Sequence, residues 1–224
     1  MNTDHFLLEV DHLVIYAAEG LSAVSVLQEF GLHRSHLLQR SDQGTASALF
    51  FFENTYLELI WVEDENKVRQ YTVETGMDIL SRINWKQTGA SPFGIGLRHS
   101  NGDRNRWQKN SDAWVNFSSD NRTTLSEPIC YTLPNLMALT TWLDYSSEEH
   151  RQLITHPLNI KKLTEIDITL AQNNLLTQAI SLLEFHGLLS VKRGSTPLLT
   201  LTFDGQAQGQ SIDVRPILPL VLKY

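Results

Sequence analysis

Cysteine is almost missing from this chain: Cys130 is the only one in 224 residues. A single thiol excludes an internal disulfide and a cysteine zinc cluster, and it fits a reducing compartment. Basic side chains are in the minority, 18 Lys and Arg against 25 Asp and Glu, for a formal net charge of −7. That balance argues against a nucleic-acid backbone or an anionic membrane as the main partner. No apolar run approaches the roughly 20 residues of a spanning helix. The first residues, Met1-Asn2-Thr3-Asp4-His5, carry neither the basic region nor the apolar core of a signal peptide. Gly94 and Gly96 lack the third glycine and helix start of a nucleotide-binding turn. No serine sits in a nucleophile elbow, and Cys130 has no evident base beside it. The expectation is a soluble, cytoplasmic protein that meets a small molecule, with no nucleic acid or membrane as partner.

What the chain does contain is a histidine and a glutamate inside otherwise apolar strands. Glu9 to Tyr16 (EVDHLVIY) reads as a strand with His12 at its centre, and Tyr56 to Val62 (YLELIWV) reads as another with Glu58. Strand alternation groups Val10, His12 and Val14 on one face, and Tyr56, Glu58 and Ile60 on one face. Burying either polar group without a partner is costly, so a ligand, a metal or each other must satisfy them. Between them, Glu19–Phe30 has helical spacing at Leu21, Val24, Leu27 and Phe30 with Gly31 as a stop, and Leu32–Leu38 and Ala46–Phe52 are strand-like. In the Phe50-Phe51-Phe52 run, one face is expected to be core and the other, with Phe52, pocket wall.

Asp64–Trp85 predicts one or two helices, Pro92–His99 a strand, and Asn101–Asn110 a polar loop whose Arg104 and Arg106, with Arg98, flank a pocket mouth or face solvent. Trp114–Phe117 and Ile129–Leu133 are short strand candidates. From Leu163 the opening pattern returns: a strand over Ile166–Leu170, a helix over Leu175–Phe185, strands over Leu198–Phe203 and Ser211–Arg215, then a proline-broken tail. His12 precedes Gly31 by nineteen residues and Asp167 precedes Gly187 by twenty, while Glu58 follows Gly31 by twenty-seven and Asp213 follows Gly187 by twenty-six. Asp167 thus falls where His12 does, and Asp213 where Glu58 does. The fold class expected is α+β, with repeated βαβββ units whose curled mixed sheets surround a cavity and whose helices lie outside. The units are residues 1–62 and a degenerate 163–224, separated by an irregular 63–162.

The stretches Asp11-His12-Leu13-Val14-Ile15 and Asn54-Thr55-Tyr56-Leu57-Glu58-Leu59-Ile60 resemble the vicinal oxygen chelate superfamily, and more narrowly its glyoxalase-like domain proteins. Phe93-Gly94-Ile95-Gly96-Leu97-Arg98 and His156-Pro157-Leu158-Asn159 extend the resemblance more weakly. It implies metal ligands on the first and last strands of each unit. Carried over, these are His12 and Glu58, with Asp167 and Asp213 in the second unit. If the strands near Phe93 and Ile129 complete the first barrel instead, Gly94 or Gly96 and Thr132 occupy those positions and supply no ligand. The implied cofactor is one divalent ion (Mn, Fe, Ni, Zn or Mg), and the implied chemistry is lyase, isomerase or dioxygenase action on a vicinal-oxygen substrate, with Glu58 moving a proton. Val10, Val14, Tyr56, Ile60 and Phe52 are the expected substrate-binding wall. The alternative is a metal-free cavity that binds or sequesters a small molecule, and whether units pair within one chain or across a homodimer stays open.

Overall fold

The computed structural model describes residues 8–100, 116–117, 119–144 and 146–224; the expected 101–110 loop and Trp114 lie outside them. The chain is α+β and builds two open, mixed sheets. The first sheet uses β1 (Leu8–Tyr16), β2 (His36–Arg40), β3 (Thr45–Phe51), β4 (Tyr56–Val62), β5 (Phe93–His99), β6 (Asn116–Phe117) and β7 (Ile129–Thr132), in the order β2-β3-β4-β1-β5-β7-β6. The second uses β8 (Leu163–Leu170), β9 (Ser190–Arg193), β10 (Leu198–Phe203), β11 (Ser211–Asp213) and β12 (Leu220–Lys223), in the order β11-β12-β10-β8-β9. Helix α1 (Gly20–Glu29) follows β1. Helices α2 (Glu65–Thr75), α3 (Ile79–Ile83) and α4 (Trp85–Thr88) join β4 to β5, α5 (Leu139–Trp142) and α6 (Glu148–Leu153) follow β7, and α7 (Gln178–Phe185) follows β8. Among the described residues, no helix is long and apolar enough to cross a membrane.

The two βα starts are wired differently afterwards. In the first sheet, the strand after α1 goes to the outer edge and β4 returns to lie parallel to β1. In the second, β9 lies directly beside β8 in parallel, a crossover with no counterpart in the first sheet. The proline-broken tail also yields a strand: past Pro219, Leu220–Lys223 pairs in parallel with β10. Helix α7 begins at Gln178 rather than Leu175, because carboxylates meet its first amides. Glu127 accepts from the Thr177 N–H at 3.0 Å, and Asp120 accepts from the Gln178 N–H at 2.7 Å.

One core joins the sheets. Leu13, Ile15, Phe50, Phe52, Leu57 and Leu59 from the first sheet meet Ile166, Ile168, Leu199, Leu201 and Phe203 from the second, and α1 and α7 add Leu27 and Leu183. The opposite face of the first sheet carries two smaller clusters. Val14, Tyr16 and Ile60 pack under Val68 of α2 and Ile79 of α3. Leu49, Phe51 and Tyr56 pack under Leu139 and Leu143. Between these two coverings the sheet is left partly open.

Two features set the shape of that opening. In β5 the residues facing it are glycines: Gly94 pairs opposite Val14 and Gly96 opposite His12. A Cβ on Gly96 would stand 2.2 Å from His12 Cε1, so the imidazole lies flat over bare backbone. The register of β1 against β5 slips between Val10 and His12, which is a bulge at Asp11. The bulge reverses the alternation, so Val10 joins the Leu13 and Ile15 side instead of sharing a face with His12.

His156 holds the margin of the first sheet. Its Nδ1 accepts the His33 N–H at 2.9 Å and its Nε2 donates to the Phe51 carbonyl at 2.8 Å. Burial pushes its pKa down to about 4. From the ordinary value near 6.5 down to about 4, the unfolded chain therefore takes up a proton that the folded chain refuses. Stability is expected to fall across that window as pH drops, by as much as roughly 3 kcal/mol from this group. Denaturant unfolding from pH 7 to 4 should show the fall, and His156→Gln should remove that share of it. Gly96→Ala is expected to displace the His12 ring and cost about 1–3 kcal/mol. Gly94→Ala, whose Cβ would meet Val14 Cβ at 3.1 Å, should cost less in the same unfolding experiment.

Candidate functional site

The opening on the first sheet is a cavity of about 150 Å³, and His12, Tyr16, Tyr56, Glu58, Ile60 and Tyr131 form its floor and walls. Arg40, at the end of β2, and Tyr71, from α2, border it as well. The strand register brings these side chains together. β1 and β4 run parallel, with His12 beside Tyr56 and Val14 beside Glu58, and β7 places Tyr131 beside Gly96. Without a side chain on Gly96, Tyr131 reaches across β5 to His12.

The resulting contacts form a chain. Asp11 Oδ1 lies 3.0 Å from His12 Nδ1, and Tyr131 Oη lies 2.6 Å from His12 Nε2. Asp11 Oδ2 accepts the Leu139 N–H at 2.8 Å and faces Arg98 Nη1 at 3.4 Å. Asp11 is therefore an acceptor on every side, which assigns the ring proton to Nδ1 and leaves Nε2 as the acceptor of the Tyr131 hydroxyl. Burial holds the Tyr131 and Tyr56 phenols well above the usual tyrosine range, so both carry their protons. His12 also stacks on Tyr56, with centroids 4.4 Å apart and planes 17° from parallel.

Glu58 stands beside this chain and is 2% exposed. Its Oε2 is 4.0 Å from His12 Nε2, and its Oε1 is 2.8 Å from Arg40 Nη2. The arginine lies off the hydrogen-bonding direction, so Oε1 has charge compensation without a hydrogen-bond donor. Glu58 in turn raises the Arg40 pKa, keeping the guanidinium charged. Burial lifts the Tyr16 phenol to about 12, and its hydroxyl has no hydrogen-bond partner among the described residues.

The structure separates the side chains expected from sequence. His12, Glu58, Tyr56 and Ile60 line one cavity, and Val14 packs beneath it beside Gly94. Val10 instead borders a crevice between the sheets, on the far side of the bulge. Phe52 lies in the inter-sheet core, 4.5 Å from the Phe203 ring and 4.7 Å from His156; Phe51 is the phenylalanine that meets Tyr56, edge-on. Asp167 faces away from the core side occupied by Ile166 and Ile168 and pairs with Lys192 at 3.0 Å. Asp213 is half-exposed and pairs with Arg215. Both carboxylates belong to the second sheet, across a packed layer from His12.

These donors do not fit a divalent ion. Among the described residues no group of three or more His, Cys, Asp or Glu could hold one. Arg40 already supplies the positive charge at Glu58, and Tyr131 caps the His12 nitrogen that faces the cavity. Sequence reasoning missed Asp11, Arg40 and Tyr131. Asp11 had a signal, a carboxylate adjacent to a histidine in an apolar strand, but regular alternation sends it to the other face. Arg98, expected at a pocket mouth or in solvent, is mostly buried at the edge of the inter-sheet crevice, away from the His12 cavity, and ties Asp11 to Glu9 at 3.2 Å and to the Asn54 carbonyl at 3.2 Å.

The crystal structure of a hypothetical protein from Staphylococcus aureus superposes with a TM-score of 0.58 over 97% of this chain and 99% of that one, at 14% identity. Methylmalonyl-CoA epimerase from Mycobacterium tuberculosis superposes with a TM-score of 0.34 over 56% of this chain and 86% of that one, also at 14% identity. No curated protein matches the chain. The family model described as "Glyoxalase-like domain" matches residues 10–183, most of the chain, with His12 and Glu58 inside the match. The chain belongs to the glyoxalase-like domain family.

Proposed function

We propose that the cavity binds a small organic molecule and moves a proton on it without a metal, an isomerase or lyase type of chemistry. The observation that carries this reading is the chain Asp11–His12–Tyr131, which ends on a buried cavity beside a second carboxylate. A ligand hydroxyl or acidic C–H placed at Tyr131 Oη passes its proton to that oxygen as the phenol's own proton moves to Nε2. The imidazolium so formed is stabilised by Asp11 at Nδ1. The reverse transfer returns the proton at another atom of the ligand. Glu58 Oε2, unpaired with Arg40 and 4.0 Å from Nε2, is the second proton acceptor. Burial raises the electrostatic value of each of these groups by excluding water.

A second reading is a metal-free binding protein. It draws support from the internal satisfaction of both His12 nitrogens, which a static wall would also need.

Deuterium exchange separates the two. A panel of enolisable aldehydes, ketones and 2-oxo acids is incubated with the protein in D₂O and followed by proton NMR. Exchange is expected with at least one compound and should survive a chelator. His12→Gln and Tyr131→Phe should each slow it by roughly a hundredfold or more. Ligands that bind with no exchange in any compound would favour the binding protein.

A further inference from the structure

Donors outnumber acceptors around this cavity. Arg40 is one-third exposed, and Nη2 is its contact to Glu58, so its other N–H groups have no partner among the described residues. The Tyr16 and Tyr71 hydroxyls border the same space and are likewise without partners among the described residues. On the acceptor side, Glu58 Oε1 faces Arg40 and His12 Nε2 is taken by Tyr131, which leaves Glu58 Oε2 as the open acceptor. Charge points the same way. Glu58 and Arg40 cancel, and Asp11 behind the ring faces Arg98, which it shares with the half-exposed Glu9, so at the mouth an entering anion meets the free N–H groups of Arg40 and free O–H groups. The space itself, about 150 Å³, is the size of a cavity that takes up one benzene ring. Its lining includes the rings of His12 and Tyr56, stacked on each other, and the aliphatic side chains of Ile60 and Ile79.

We infer that the ligand is a small planar monocarboxylate, about the size of one six-membered ring bearing a carboxylate, with that carboxylate held by Arg40 at the cavity mouth and its body against Tyr56. This deepens the proton-transfer reading, which it takes as its site. A planar acid matches the guanidinium edge through paired N–H···O bonds, a geometry that lysine cannot reproduce. With the carboxylate anchored at Arg40, the body of the molecule lies toward Tyr131 and His12, where a proton would be moved.

Three probes of matched size read the charge preference directly by calorimetry: benzoate, benzamide and benzylamine. Benzoate is expected to bind at least tenfold tighter than benzamide, and benzylamine not at all. Arg40→Gln should weaken benzoate by tenfold or more and Arg40→Lys by less, with benzamide hardly changed. Arg40→Gln leaves Glu58 buried without its counter-charge and can unfold the protein. Arg40→Gln/Glu58→Gln removes both charges and should also lose benzoate, with circular dichroism confirming the fold. Equal binding of the three probes, no benzoate binding by folded wild type, or unchanged benzoate affinity in the folded double variant would overturn the inference. Exchange of neutral ketones without benzoate binding would sink this inference alone. Benzoate selectivity with no exchange in any compound would sink the proton-transfer reading alone.

Discussion

Asp11 is a buried carboxylate that the surrounding structure is built to satisfy. Its Oδ1 faces the imidazole of His12, its Oδ2 takes the first amide of α5 and a long contact from Arg98, and its carbonyl accepts the Thr55 hydroxyl at 3.0 Å. A carboxyl group in such a place is tolerated only if its oxygens meet donors, and removing one partner leaves a costly remainder. Those partners come from β1, the β3–β4 turn, β5 and the helical covering. The arrangement of the first sheet, the closure over it and the tautomer of His12 therefore depend on one another.

The bulge at Asp11 makes this possible. In a regular strand Asp11 and His12 would point to opposite faces; the slipped register sends Val10 to the inter-sheet core and lets the two polar neighbours share one hydrogen bond. The paired glycines of β5 complete it. Their bare backbone gives the ring a seat, and it opens a path for Tyr131 across an intervening strand.

Much of this fold is legible in the amino-acid sequence because period and composition act locally. The β1 and β4 runs, helix α1 with Gly31 after it, and the fully buried β3 follow from apolar spacing and turn residues. His12 and Glu58 stand out because polar groups in apolar strands need partners, and the structure places both in one cavity. What is not legible depends on pairing at a distance. A bulge has no local signature here, so regular alternation groups Val10 with the wrong face. The parity of the phenylalanine run cannot be read from three identical residues, and Phe51, not Phe52, is the one that meets Tyr56. Asp167 and Asp213 match His12 and Glu58 in spacing, yet β9 and β12 rewire the second sheet, and each aspartate finds a nearby cation instead. Arg40 and Tyr131 lie far from His12 in sequence, and only sheet order brings them to it.

The state of the His12 ring is the central claim, and nitrogen-15 NMR of the imidazole reads it directly. At neutral pH the wild-type protein should show a protonated Nδ1 and a bare, hydrogen-bonded Nε2, and Asp11→Asn should perturb Nδ1 while the fold persists. A ring protonated at Nε2 with a bare Nδ1, unaffected by Asp11→Asn, would contradict the proton path through Tyr131.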